Sequence, residues 1–174
     1  MGANHQKEIE FLCEIAQPDY GYITNFGKAH LEGFGGVAGV IKGKSEMYVY
    51  LAKNDKKVFV NLDDAIQVDK THQMNAISFG VNKPNAETNI DKVSANPFVE
   101  IDYSNATIHS HLIGLYNANN INAAIAIGNH FSVSTEFIKL AIENYIPENN
   151  RSQLVHKNSN EIILDAYNAN PSSM

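Results

Sequence analysis

The chain has 174 residues, enough for one hydrophobic core or for one domain with part of another. With 44% hydrophobic and 18% charged residues it reads as an ordinary globular protein and not as a disordered one. A net charge of -6 without a basic stripe excludes general nucleic-acid binding, and no apolar run approaches the roughly 18 residues of a membrane span.

The first stretch, "MGANHQKEIEFLCEIAQ", carries acids inside its apolar pattern and so does not resemble a signal peptide. Cytoplasm is the expected compartment. The periodicity predicts a helix over residues 6–16, and Cys13 within it reads as a buried structural thiol. A single cysteine also excludes an internal disulfide and a thiolate zinc cluster. Residues 2–5 would suit a loop leaving a strand, yet no strand precedes them.

A strand is expected from Tyr20 to Asn25, then a glycine-rich loop, "GKAHLEGFGG", then a helix from Val37 to Lys53. "KKVFVNL" (56–62) reads as a strand, Asp63 as the N-cap of a helix through Gln73, and "AISFG" (76–80) as a further strand. This alternation predicts a parallel α/β sheet. "NPFVEIDY" and "ATIHSHLI", separated by Ser104 and Asn105, predict an antiparallel hairpin. Helices over Asn117–Phe131 and Ser134–Tyr145 follow, and a polar connection (146–153) leads to two more strands. Those last residues read as the start of a second domain, and the chain reads as cut at both ends.

Chemistry concentrates in two segments. At about 100° per residue from Val37, the side chains of Val40, Ile41, Met47, Tyr48 and Leu51 fall within roughly 80° of one direction, with Lys44 near -20° among them. Lys42 and Glu46 lie on the opposite side, where solvent is expected. A lysine inside an apolar stripe either packs its stem and sends its head to a carboxylate, or ends in a site. With a lowered pKa, such an amine can take up carbon dioxide as a carbamate whose oxygens suit magnesium.

The second segment is "GLYNANNINAAIAIG" (114–128), in which Asn117 and Asn120 share a stripe with Ile121, Ala124 and Gly128 on the expected buried face. Two amides at this spacing can read a base edge such as adenine, or Asn117 can simply cap the helix. Six other histidines, His5, His72, His109, His111, His130 and His156, show no metal-ligand spacing. Arg151, the only arginine, fits either an anion site or an ordinary surface position.

Taken together, "MGANHQKEIEFL", "TNFGKAHLEGFGGVAGVIKGKSEMY", "LIGLYNANNINAAIAIG", "NRSQL" and "ILDAYNANPSSM" resemble the Mur ligases, and most closely the MurF type. The resemblance runs from end to end. It implies residues 1–147 as part of the central ATP-binding domain without its phosphate loop, and 148–174 as the start of a Rossmann-like C-terminal domain. No G-x-x-G-K-[ST] motif occurs in the chain.

The resemblance further implies an ATP- and magnesium-dependent ligase that joins D-alanyl-D-alanine to UDP-MurNAc-tripeptide through an acyl phosphate, in bacterial cytoplasm and as a monomer. It makes His30 a magnesium ligand and Lys44 the lysine whose carbamate helps place that metal. Asn117 and Asn120 become the adenine contacts, Arg151 and Asn168 groups near the phosphates, and Asp165 the acid on the ribose hydroxyls. Asn4 and His5 fall in the block near the substrate. Two positions depart from the family pattern: Asn150 precedes Arg151 where glycine is usual, and Tyr116 precedes Asn117 where histidine is frequent.

As a fragment without the phosphate loop, the chain is expected to be inactive alone and to expose a sheet edge. Other members of the family, a folylpolyglutamate synthase relative, and a non-catalytic binding module are the competing readings.

Overall fold

A computed structural model describes residues 1–28, 30–148 and 153–164. It is a mixed α/β structure, as the sequence implies. A four-stranded sheet has the order β1-β2-β3-β4, and a three-stranded antiparallel sheet has the order β5-β6-β7. The chain divides into two compact units at Ser78 and Phe79, within β3.

In the first unit, α1 (Glu8–Ala16) packs on α3 (Val37–Lys53), which in turn packs on β1 (Tyr20–Tyr22) and its parallel partner β2 (Lys57–Asn61). Their core joins Ile9 and Cys13 of α1 to Ile23, Met47, Leu51, Val58 and Val60. Cys13 is fully buried, and burial pushes its thiol up from 9.0, as suits a structural role.

Strand β1 stops three residues short of the expected Asn25. The carbonyls beyond it are used by side chains: Gln67 Nε2 donates to Ile23 O at 2.9 Å, and Lys44 Nζ donates to Asn25 O at 2.7 Å. The next helix, α4 (Ala65–Thr71), is capped by Asp64 and not by Asp63. Asp64 Oδ1 accepts the N–H groups of Ile66 at 2.9 Å and Gln67 at 3.2 Å. The two adjacent acids look alike in sequence, and the one with a side chain facing the first turn wins.

A short helix, α2 (Leu31–Phe34), falls within the glycine-rich loop. Added Cβ atoms at Gly39 and Gly43 would collide with the Phe34 carbonyl and ring respectively, so these glycines let α2 lie directly on α3. Glu46 departs from its expected place in solvent. It is half-buried, and its carboxylate accepts the N–H of Lys7 at 2.6 Å and of Glu10 at 3.1 Å. Helical periodicity locates the face of Glu46, but not the neighbouring helix that covers it.

In the second unit, β3 (Ala76–Val81) pairs in parallel with β4 (Thr88–Ile90). Strands β5 (Lys92–Ala95), β6 (Phe98–Tyr103) and β7 (Ala106–Ile113) form the antiparallel sheet. The hairpin turn is as expected, with Ser104 at φ 50 and Asn105 at φ 62, both left-handed as a tight two-residue turn requires. β4 and β5 escape sequence reading because they are short and carry polar residues.

A 3-10 turn (Leu115–Asn117) leads into α5 (Ala118–His130), and Ser134 caps α6 (Thr135–Glu143). Ile90, Val99, Ile101, Ile108, Ile121, Ile125 and Ile138 form the second core. A final hairpin joins β8 (Gln153–Lys157) to β9 (Asn160–Leu164).

Candidate functional site

The first unit carries a cleft of ≈ 910 Å³ that runs along β1, the first strand of its sheet, and its flanks from Pro18 to Asn25. Asn4, Asn25, His30, Phe34, Lys44 and Met47 line it. The structure therefore brings together Asn4, His30 and Lys44, which lie far apart in sequence. His5 joins Asn4, His30 and Gly33 around a smaller adjoining hollow.

Lys44 is half-buried, and its Nζ donates to the Asn25 backbone carbonyl at 2.7 Å. Asn25 Oδ1 lies farther off, at 3.5 Å. The head does not end at a carboxylate, as the plainer sequence reading had it. The acceptor is neutral, so desolvation lowers the Lys44 pKa below 10.5 and favours the neutral amine. The triplet Gly43-Lys44-Ser45 sits inside α3, so its backbone N–H groups cannot cradle a phosphate.

His30 is exposed and occupies the N-cap position of α2 in the left-handed region, at φ 56 and ψ 36. That conformation costs a non-glycine residue about 1–3 kcal/mol. Glycine would relieve this strain, yet a side chain is present and borders the cleft. His30 also supplies its carbonyl to the Phe34 N–H at 3.1 Å, which closes the short helix.

The loop with Asn4 and His5 is held by Glu8, whose Oε2 accepts the Asn4 N–H at 2.6 Å and the His5 N–H at 3.0 Å. A Cβ on Gly33 would strike the Asn4 carbonyl, so the glycine lets this loop lie against α2. These N–H groups hold the Glu8 carboxyl below 4.5, the Asn4 bond contributing most.

Among the described residues, no group of three or more histidine, cysteine, aspartate or glutamate side chains could hold a metal ion. Magnesium prefers oxygen donors, and a lysine ammonium offers none. Lys44 would offer such donors only as a carbamate, whose two oxygens would lie near the Asn25 side chain on the cleft that His30 also borders.

In the second unit Asn117 and Asn120 are adjacent, with Asn120 Nδ2 donating to Asn117 Oδ1 at 3.3 Å. Asn117 does not cap α5 through its side chain. Instead its Nδ2 donates back to Ile113 O at 2.8 Å. The expected stripe is also displaced: Asn120 and Ala124 are exposed, whereas Ala118, Ile121, Asn122 and Ile125 are buried. The packed face is the one shared by Ala118, Ile121, Asn122 and Ile125, and Asn120 and Ala124 fall on the opposite side of the same helix. Asn120 therefore presents an amide to solvent, as a ligand contact requires.

Arg151, Asp165 and Asn168 lie outside the described residues. Sequence reasoning missed Asn25, Glu8 and Glu46. A signal existed for the first two: Asn25 precedes Gly27 at the spacing of an Asx turn, and Glu8 follows Asn4 by four residues at a helix start. No sequence signal marks the long-range partners of Glu46.

A parallel α/β unit with a cleft along one strand, bordered by a half-buried lysine and a left-handed histidine, defines an α/β domain with a candidate ligand site. Residues 1–128 match the family model described as the Mur ligase middle domain, and the chain belongs to that family. It is 30% identical over 178 residues to the UDP-N-acetylmuramoyl-tripeptide--D-alanyl-D-alanine ligase of Haemophilus influenzae, covering 100% of this chain and 39% of that one.

A crystal structure of MurF from Acinetobacter baumannii superposes with a TM-score of 0.83 at 28% identity, over 99% of this chain and 39% of the other. MurF ligase from Thermotoga maritima, solved in complex with ADP, shares the fold at TM-score 0.77 and 23% identity, over 99% of this chain and 41% of its own. The chain thus spans about two fifths of the length of these relatives. No helix among the described residues is long and apolar enough to cross a membrane.

Proposed function

We propose that the chain supplies part of an ATP-dependent ligase that joins D-alanyl-D-alanine to UDP-MurNAc-tripeptide in peptidoglycan synthesis. The observation that carries this reading is the environment of Lys44. Its amine is partly desolvated, bonded to a neutral carbonyl, and placed on the same cleft as His30. The matches to a ligase and to a structure of the MurF type, along the whole of this chain and 39% of each relative, support the substrate class.

In this reading the neutral Lys44 amine adds to carbon dioxide; a C–N bond forms, a proton leaves to solvent, and the carbamate carries one negative charge. The Lys44 carbamate and His30 would hold magnesium, whose chemistry there is to offset negative charge on phosphate. Asn4 and His5 orient the UDP-MurNAc-tripeptide, whose carboxylate is activated as an acyl phosphate before the amine of D-alanyl-D-alanine attacks. Asn117 and Asn120 contact adenine, Arg151 and Asn168 face the phosphates, and Asp165 takes the ribose hydroxyls. Residues 1–147 belong to the central domain and 148–174 to the C-terminal one. The setting is bacterial cytoplasm, and the enzyme acts as a monomer.

The test is a ligase assay on a polypeptide that carries this chain in frame with the remaining length of its relatives. Lys44→Ala abolishes product formation, and added short carboxylates restore part of it. Full activity in that variant refutes the carbamate role, and an inactive wild type refutes the ligase reading.

A further inference from the structure

An α-helix leaves its first four N–H groups without partners inside the helix. The flank of α1 does not satisfy them. Lys7, at the N-cap position, makes no side-chain cap bond and holds the left-handed conformation, φ 76 and ψ -9. A residue with a side chain stays in that region only where its surroundings over-determine it.

Glu46, from the middle of α3, provides that constraint. One carboxylate oxygen accepts the Lys7 N–H at 2.6 Å, and the other accepts the Glu10 N–H at 3.1 Å. Gln6 Nε2 adds a bond to the Phe34 carbonyl at 3.2 Å. Directly before Lys7 and Gln6 come Asn4 and His5, themselves tied to Glu8. Two residues before Glu46 on the same helix comes Lys44, which borders the cleft together with Asn4. One helix thus places the amine and, from another of its faces, anchors the loop opposite.

We propose that Glu46 is a positioning residue that fixes Asn4 and His5 relative to Lys44 by clamping the backbone of Lys7 and Glu10. Its carboxylate does not itself meet a substrate. The inference rests on the ligase reading above, in which Asn4 and His5 serve the nucleotide-sugar peptide and not ATP. Loss of the clamp therefore acts on one substrate selectively.

The experiment places Glu46→Ala and Glu46→Gln in the ligase polypeptide defined above and measures KM for each substrate, kcat and thermal midpoint. Loss of charge-assisted bonds to two N–H groups is expected to raise KM for UDP-MurNAc-tripeptide about tenfold in Glu46→Ala, with KM for ATP within about twofold. Glu46→Gln, which keeps one acceptor oxygen, falls between. An unchanged peptide KM overturns the proposal. So does a rise of both KM values alike with a fall of kcat and midpoint, which marks a purely structural residue.

Amide hydrogen exchange on the 174-residue chain supplies an independent arm. Lys7 and Glu10 amides exchange about tenfold faster in Glu46→Ala while those of β2 are unchanged. Equal exchange in the variant overturns the clamp, whether or not the polypeptide is a ligase. An inactive wild type with a working clamp refutes the ligase reading and, with it, the positioning role.

Discussion

Lys44 Nζ donates to the backbone carbonyl oxygen of Asn25 at 2.7 Å, while the Asn25 side chain accepts the Gly27 N–H at 2.9 Å. One residue thus turns the chain at the start of the glycine-rich loop and receives the lysine head. The acceptor carries no charge, and desolvation lowers the Lys44 pKa below 10.5.

The amine is therefore expected to carbamylate. In a solution of 13C-labelled bicarbonate, carbon NMR of the chain shows a carbamate resonance that Lys44→Arg removes. A wild-type spectrum without that resonance would remove the magnesium-holding role of Lys44.

The Asn4–His5 loop is expected to loosen in acid. Glu8 has a folded-state pKa below 4.5, so its contribution to stability is complete above 4.5 and is lost as the pH falls through the lower folded value. The amide shifts of Asn4 and His5 should follow that titration, and Glu8→Gln should abolish it. Shifts that titrate above 4.5 would contradict the assignment.

Gly39→Ala tests the contact between α2 and α3 through the sign of its effect. In an open helix interior the change stabilises by about 1 kcal/mol. Here the new methyl falls on the Phe34 carbonyl, which is backbone and cannot rotate away. A net loss of about 1–3 kcal/mol is expected by chemical denaturation, and a gain would show that α2 does not lie on α3 as described.

Two neighbouring acids separate cleanly. Asp64→Ala should cost about 1 kcal/mol, since the side chain satisfies two N–H groups of the first turn of α4. Asp63→Ala leaves that cap in place and should cost less than Asp64→Ala. Equal effects in urea unfolding would return the cap to Asp63.

The 174-residue chain contains no phosphate-loop motif, and its Gly43-Lys44-Ser45 triplet is helical. Calorimetry is expected to detect weak ATP binding or none. Tight magnesium-dependent binding would require a phosphate site built from other residues.

Much of this fold was legible in the sequence because local signals agreed. The helix Val37–Lys53 has the bounds that its apolar period and flanking glycines predict, and the Ser104–Asn105 turn has the conformation its residues favour. The gathering of His30 and Lys44 came from family motifs, since their approach depends on a loop path that no local rule encodes. Glu46 was misplaced for the same reason: its partners, Lys7 and Glu10, are distant in sequence. Asn120 was placed on the wrong face because α5 is apolar over most of its circumference, so its period alone does not single out the side that packs, which is that of Ala118, Ile121 and Ile125.

The clamp on α1 also has a kinetic side. A helix of 9 residues is too short to persist alone in water, and its cap lies 39 residues away at Lys7 and 36 away at Glu10. Closing so long a loop precedes any benefit from those bonds, so α1 can consolidate only after α3 has docked on β1 and β2. Substitutions at the clamp should then accelerate unfolding and leave the refolding rate almost untouched. The Asn4–His5 loop is thereby the last part of its unit to be built and the first to open.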